Sequence, residues 1–133
     1  INMPAVSIEI RQQYSQETEI ALIDAVHSAL QTVFKLPEYD RDLRLIVHQP
    51  HRFQCPSHLS QPEFFTLISI DCFAGRSLDS KRELYRKMVE NLGILGIPKD
   101  HIKIILREIS VENWGIRGGQ AACDVNLGFD IQV

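Results

Sequence analysis

The sequence predicts an α+β fold built as a tandem β-α-β repeat. An alternating apolar pattern begins just after the start of the chain, and a helical pattern follows it. The same order of patterns returns about 62 residues later. Two such units with right-handed crossovers would form a four-stranded sheet with both helices packed on one face.

The first predicted unit spans residues 4–48. Residues 6–10 alternate between apolar and polar, which is the period of a strand with one buried face. A helix follows, with Ser15 as its N-cap, and we expect it to continue until Pro37 stops it. The apolar stripe of this helix consists of Ile23, Val26, Leu30, Val33 and Phe34. Residues 43–47 are predicted to form the second strand.

The second predicted unit spans residues 64–110 and repeats this order. An apolar strand at residues 65–70 precedes a helix whose N-cap is Ser77. The stripe of this helix consists of Leu84, Met88, Leu92 and Leu95. Pro98 corresponds to the proline that stops the first helix, and residues 102–109 supply the last strand.

Residues 4–133 are therefore predicted to form a single domain. A loop at residues 49–63 separates the units, and a glycine-bearing tail at 111–133 lacks the periodicity of a third unit. Residues 1–3 are expected to be a cloning remnant plus the initiator methionine, or the stump of a longer precursor. The loop is broken by Pro50, Pro56 and Pro62.

Composition narrows the class of protein. The chain has 133 residues and a formal net charge of -3, which gives no basic footprint for nucleic acid. No apolar run reaches the ~18 residues needed to span a bilayer, so we expect no membrane partner. The three cysteines are scattered, which argues against a disulfide framework and suggests a cytoplasmic protein. The apolar strand at 65–70 suggests burial on both sheet faces, with the second face covered by other subunits.

Short motifs make a family resemblance specific. Met-Pro stands directly before the first strand, AGRS heads the second helix, and ENWGIRGG lies in the tail. Together they resemble the tautomerase superfamily, which includes 4-oxalocrotonate tautomerase and macrophage migration inhibitory factor. DAVH, LPEYDR and HQP fit best the long-chain members similar to malonate semialdehyde decarboxylase. The resemblance implies a homotrimer that needs no cofactor.

Pro4 is the first catalytic residue that the resemblance implies. Once Met3 is removed, its nitrogen would be a secondary amine, which can serve as a general base when burial and a neighbouring cation lower its pKa. In the printed sequence that nitrogen is an amide, so the chemistry requires removal of residues 1–3. The alternative is that Pro4 merely starts a strand, where a missing N–H costs little.

Arg76 matches the substrate-binding arginine of the resembling family. At the head of the second helix it can hold a carboxylate together with backbone N–H groups. The alternative is a solvated arginine that pairs with Asp79. A second cation of the specialised decarboxylase and dehalogenase sites is absent, because Ala74 and Phe73 stand at its places. Arg117 of the tail is a possible substitute, and proton transfer is the simpler interpretation.

Asp40 matches an acid that assists at a carbonyl or positions a water in the decarboxylase. Its alternative is turn chemistry or a pair with Arg41. His27 matches a family position and is predicted to bind substrate. Trp114, an aromatic residue in the irregular tail, is predicted to form a wall of the pocket. The alternatives are a satisfied core histidine on the helix stripe and an aromatic plug at a subunit boundary.

A competing constellation places His48, His51, Cys55 and His58 in one loop, all of them side chains that bind zinc. The prolines constrain this loop, a second ligand cluster is lacking, and HQP accounts for His48. We therefore predict no metal.

The function implied is that of a tautomerase, an isomerase that moves a proton on a small 2-oxo or enol carboxylic acid with Pro4 as general base. One alternative is a decarboxylase or hydratase of a 3-oxo acid such as malonate semialdehyde. Another is a binding or signalling module of the same fold without catalysis.

Overall fold

The computed structural model describes residues 4–126, so the expectations for residues 1–3 and for 127–133 lie outside it. The main elements are β1 (Ala5–Arg11), α1 (Gln16–Phe34), β2 (Leu43–His48), β3 (Thr66–Phe73), α2 (Leu78–Gly93) and β4 (Ile102–Ile109). A short hairpin of β5 (Gly115–Ile116) and β6 (Gln120–Ala121) follows. The predicted order of two β-α-β units is confirmed.

The four long strands form one sheet in the order β2-β1-β3-β4. β1 is parallel to β2 and β3 is parallel to β4, while β1 and β3 meet antiparallel at the centre. Each parallel pair belongs to one β-α-β unit, so the repeat in the sequence becomes a repeat in space. The two helices pack against each other, and Asn91 on α2 donates to the carbonyl of Ala25 on α1 at 3.1 Å.

The caps predicted for both helices are present. Ser15 accepts from the Thr18 N–H at 3.2 Å, and Ser77 accepts from the Ser80 N–H at 3.1 Å. α1 ends at Phe34, before Pro37, because Lys35 adopts a left-handed conformation with φ 56° that closes the helix.

The ends of α2 and β3 differ most from the prediction. Leu95 lies beyond the end of α2 at Gly93, although it still packs on the core. β3 continues past residue 70 to Phe73, because Cys72 pairs with Glu108 in the parallel register with β4. This extension carries β3 to the level where β1 begins.

The core lies between the helices and one face of the sheet. Residues of β1 and β3 alternate between full and partial burial, as the period of a strand requires. The innermost side chains include Val6, Ile8, Ile10, Leu22, Leu30, Ile68, Ile70, Leu84, Met88 and Leu92.

The opposite face of the sheet is partly exposed and largely polar. Arg44 donates to the Ser7 hydroxyl at 3.2 Å, and Arg107 pairs with Asp71 at 2.6 Å. Ile105 on this face is 41% exposed. Cover by other subunits therefore stays a prediction.

The loop between the two units contains regular structure. Pro50 and Pro62 each open a short 3₁₀ helix, at Pro50–Arg52 and Pro62–Phe64. Arg11 donates to the Phe53 carbonyl at 2.8 Å and ties the loop to β1. Within residues 4–126, neither helix is both long and apolar enough to span a membrane.

The packing of α2 leads to a stability prediction. Leu84→Ala should lower the free energy of unfolding by about 2–5 kcal/mol, because it removes a fully buried side chain and leaves a cavity. Ile94→Ala, at an 81% exposed position, should change it by less than about 0.5 kcal/mol. Urea unfolding of both variants measures the difference, and equal losses would contradict this description of the core.

Candidate active site

Pro4 and Arg76 lie where β1 begins, β3 ends and α2 begins. Ala5 is opposite Asp71, and extending this register by one residue places Pro4 across from Cys72. Pro4 is buried. The Val6 N–H donates to the Asp42 carbonyl at 2.9 Å, which brings the segment that carries Asp40 alongside the start of β1.

Arg76 is a buried cation with one side of its guanidinium unfilled. Its side chain lies over the Phe34 ring at 4.0 Å, and Nη1 donates to the Phe73 carbonyl at 3.3 Å. Nε and Nη2 are buried, and no described residue accepts a hydrogen bond from them. These two N–H groups point along the same edge of the planar guanidinium, the edge that binds a carboxylate with two parallel hydrogen bonds.

The alternative of a solvated Arg76 paired with Asp79 is wrong. Arg76 is only 5% exposed, and burial lowers the pKa of its guanidinium from the ordinary value. Asp79 instead accepts from Arg82 at 2.9 Å, one turn further along α2. The fold therefore holds a cation away from water without supplying a carboxylate at its open edge, an arrangement that a bound anion would complete.

Asp40 is the second buried group with unfilled hydrogen-bonding capacity. It is 2% exposed, and neither carboxyl oxygen has a hydrogen-bond partner among the described residues. Burial, assisted by the nearby Asp42, raises the pKa of Asp40 to about 6, and Arg76 opposes the shift. The expected pair with Arg41 is not formed, because Arg41 donates to Asp24 at 2.8 Å. Asp40 therefore exchanges a proton close to neutral pH.

Trp114 packs against Phe73, the residue whose backbone carbonyl accepts a hydrogen bond from Arg76. Its ring meets the Phe73 ring edge to face, with centroids 4.9 Å apart, and its Nε1 donates to the Ile109 carbonyl at 3.1 Å. Trp114 thus stabilises the backbone that holds the guanidinium, and both proposed roles, wall and plug, stay open.

Arg117 occupies the turn of the β5–β6 hairpin with φ 49° and is exposed. It donates to the Asn126 carbonyl at 3.2 Å. Among the contacts of residues 4–126, none joins Arg117 to Arg76 or Asp40, so its use as a second cation stays a prediction.

His27 is buried on α1 below the segment that carries Asp40. Burial lowers its pKa, the nearby Arg41 lowers it further, and a hydrogen bond to the Glu38 backbone acts in the opposite direction. Its Nε2 has no hydrogen-bond partner among the described residues. His27 is therefore a buried helix residue that is only partly satisfied, next to the loop before β2.

Two residues of this region were not identified from the sequence. Phe34 was assigned only to the helix stripe, yet its ring lies under Arg76. Cys72 was only counted as a cysteine, yet the register places it across from Pro4. Burial raises the pKa of Cys72 to about 11 although Arg76 opposes the shift, so it stays a thiol at neutral pH.

The candidate zinc ligands of the histidine-rich segment lie in different surroundings. His48 Nε2 lies 2.9 Å from Glu9 Oε1, and its ring packs on Phe53 at 4.9 Å. His51 and His58 are exposed. In the part of the chain from Pro4 to Asn126, no group of three or more His, Cys, Asp or Glu side chains is arranged to hold a metal.

Known structures share this architecture. FG41 malonate semialdehyde decarboxylase inhibited by 3-bromopropiolate is 26% identical, with 88% of this chain and 92% of that chain covered and a TM-score of 0.80. A second malonate semialdehyde decarboxylase, solved in wild-type and inactivated forms, is 22% identical over 92% and 99% of the two chains, with a TM-score of 0.79. A fused 4-OT solved as an asymmetric trimer is 20% identical over 90% and 97%, with a TM-score of 0.74.

No curated protein matches the chain. The family model described as "Tautomerase enzyme" matches residues 40–117, which is more than half of the sequence and includes Asp40, Arg76 and Trp114. The resemblance first noted in short motifs is thereby confirmed. The chain belongs to the tautomerase superfamily.

Proposed function

We propose that this protein is a cofactor-independent tautomerase in which the amino-terminal nitrogen of Pro4 is the general base. The observation that carries the proposal is the unfilled, buried edge of Arg76 near the start of β1. A small acid whose carboxylate fills this edge would lie within the same corner of the fold as Pro4. Binding would thus set the orientation of the substrate before any proton moves.

The proposed reaction is a keto-enol proton transfer. Neutral Pro4 removes a proton from the carbon next to the carbonyl of a 2-oxo acid, or from the hydroxyl of its enol tautomer. The bond electrons move into an enolate, and the same proton returns to the other atom. Arg76 holds the carboxylate and stabilises the negative charge that develops, because its N–H groups are already fixed and desolvated.

Asp40 is proposed to assist at the substrate oxygen. A carboxyl with a pKa of about 6 is present in both forms near neutral pH, so it can give a proton to the oxygen or orient a water. Trp114, His27 and Arg117 are proposed as secondary substrate-binding residues, with Trp114 the best supported through its contact with Phe73.

The working form is proposed to be a cytoplasmic homotrimer that acts on a small carboxylate. The partly exposed sheet face and the trimeric fused 4-OT support the assembly. Three free cysteines among the described residues support a reducing compartment.

Decarboxylation or hydration of a 3-oxo acid such as malonate semialdehyde is a second candidate. It is favoured by the buried acid Asp40 and by the similarity to FG41 malonate semialdehyde decarboxylase. In that reaction a protonated Pro4 would polarise the carbonyl. A rate that depends on the ammonium form, together with release of carbon dioxide, would select this candidate. A binding module without turnover is the outcome if neither reaction occurs.

The role of the Pro4 nitrogen leads to the first activity prediction. A chain that begins at Pro4 should ketonise members of a panel of enol acids, whereas the chain that begins at Ile1 should be inactive, because an amide nitrogen takes up no proton. Ultraviolet absorbance follows the reaction, and intact mass confirms each terminus. Equal rates for the two chains would remove Pro4 from the mechanism.

The open edge of Arg76 leads to a second prediction. Arg76→Ala should raise KM for carboxylate substrates by about 10- to 100-fold, since it removes charge-assisted hydrogen bonds. Arg76→Lys should also raise KM, because an ammonium keeps the charge but lacks the two-pronged edge. Arg82→Ala, a change at an exposed arginine of α2, is the matched control and should leave KM unchanged. An unaltered KM in Arg76→Ala would show that the substrate binds elsewhere.

The buried acid leads to a prediction on stability and pH. The pKa of Asp40 is about 6 in the folded chain and about 3.9 in an unfolded one, so the folded state binds its proton more tightly between these values. The contribution of Asp40 to the stability of the fold therefore falls as pH rises from 4 to 7. Asp40→Asn should gain about 2 kcal/mol relative to wild type over this range. Urea unfolding at both pH values measures the gain, with the exposed Asp124→Asn as control; a pH-independent difference would contradict the burial of a protonated Asp40.

A further inference from the structure

The loop that carries Arg76 is hydrogen-bonded to an ion pair formed between β4 and α2. We propose that Glu108 on β4, itself held by Lys81 on α2, is a positioning residue that sets the direction of the Arg76 guanidinium. This inference rests on the proposed function, because it concerns how the carboxylate-binding edge is kept in place.

The contacts of Glu108 are divided between the loop and the helix. Its Oε2 accepts from the Gly75 N–H at 3.2 Å, and its Oε1 accepts a hydrogen bond from Lys81 Nζ. The Lys81 ammonium and the Gly75 bond both lower the pKa of Glu108, so it stays a carboxylate at neutral pH. One side chain thereby links the end of the sheet, the residue before Arg76 and the first turns of α2.

Gly75 is the residue of this loop with a positive φ. Its φ of 125° lies in the left-handed half of conformational space, which glycine adopts and leaves more easily than other residues. The residues on either side of Gly75 and Arg76 are fixed by other hydrogen bonds. The Ala74 N–H donates to the Ile109 carbonyl at 3.2 Å, and Ser77 caps α2. Loss of the Glu108 acceptor would free the peptide directly before Arg76.

Stability alone does not account well for this ion pair. Its side chains are 20% and 29% exposed, and ion pairs near the surface generally contribute little to folding. The Glu83–Arg86 pair on the same helix is more exposed, at 49% and 68%, and makes no contact with the Arg76 loop among the described residues. Glu83 therefore offers a matched control for the loss of an ion pair from α2.

Position and charge predict opposite effects for Glu108. A carboxylate close to Arg76 weakens the pull of that cation on an anionic substrate, so a role through charge would make binding tighter when Glu108 is neutralised. A role through position would make binding weaker when the Gly75 bond is lost. Glu108→Gln removes the charge but keeps an oxygen acceptor for Gly75, whereas Glu108→Ala removes both.

The experiment compares steady-state kinetics of four chains that begin at Pro4, namely wild type, Glu108→Gln, Glu108→Ala and Glu83→Ala. The probe is the enol acid that wild type ketonises fastest. Glu108→Ala should raise KM about tenfold with kcat changed less than about twofold, because binding of the carboxylate suffers while the base is untouched. Glu108→Gln and Glu83→Ala should stay within about twofold of wild type.

A lower KM in both Glu108 variants would overturn the proposal in favour of a charge effect. An unchanged KM in Glu108→Ala would overturn it as well, because Glu108 would then have no effect on substrate binding. A second readout works without turnover, namely the NMR signal of the Arg76 Nε–H group. It should shift or broaden in Glu108→Ala and persist in Glu108→Gln and Glu83→Ala, and an unchanged signal in Glu108→Ala would also overturn the proposal. Absence of turnover in wild type would refute the proposed function alone.

Discussion

The structure of this site depends on one desolvated guanidinium group. Burying Arg76 without an acceptor on its Nε–Nη2 edge is unfavourable, and the fold compensates only in part, through the Phe73 carbonyl and the Phe34 ring. An anion with two oxygens would supply the missing hydrogen bonds. This unmet requirement distinguishes Arg76 from the exposed arginines of α2, whose partners are carboxylates of the same helix.

The topology explains why this cation lies near Pro4. In a tandem β-α-β repeat with an antiparallel centre, the start of β1 and the end of β3 meet at one end of the central strands. The loop after β3 leads directly into α2, so Arg76 and the helix N-terminus come to the same end of the sheet. The segment before β2 arrives there too, because β2 is parallel to β1, and it contributes Asp40. Three separate parts of the sequence thus converge through strand register alone.

Much of the fold follows from local patterns. Three features depend only on residues close together in the sequence, namely the alternation in β1, the caps at Ser15 and Ser77, and the helix stripes. Side-chain periodicity and capping preferences therefore predict them. The limits of prediction lie in pairing: the extension of β3 to Phe73 depends on β4, and the ring of Phe34 under Arg76 depends on how α1 meets the loop. The sequence motifs identified Arg76 and Asp40, but their burial and unfilled hydrogen bonds appear only once three elements are packed together.

An NMR titration of the Pro4 nitrogen, in a chain that begins at Pro4, tests most directly whether this end of the central strands holds a base next to a cation. The amine should titrate below the range of about 7.7–8.0 of an ordinary α-amino group. Its pKa should rise when Arg76 is replaced by Gln, because the repulsion between the two cations is lost. A pKa at or above the ordinary range that Arg76→Gln does not move would contradict the account of Pro4 as a general base.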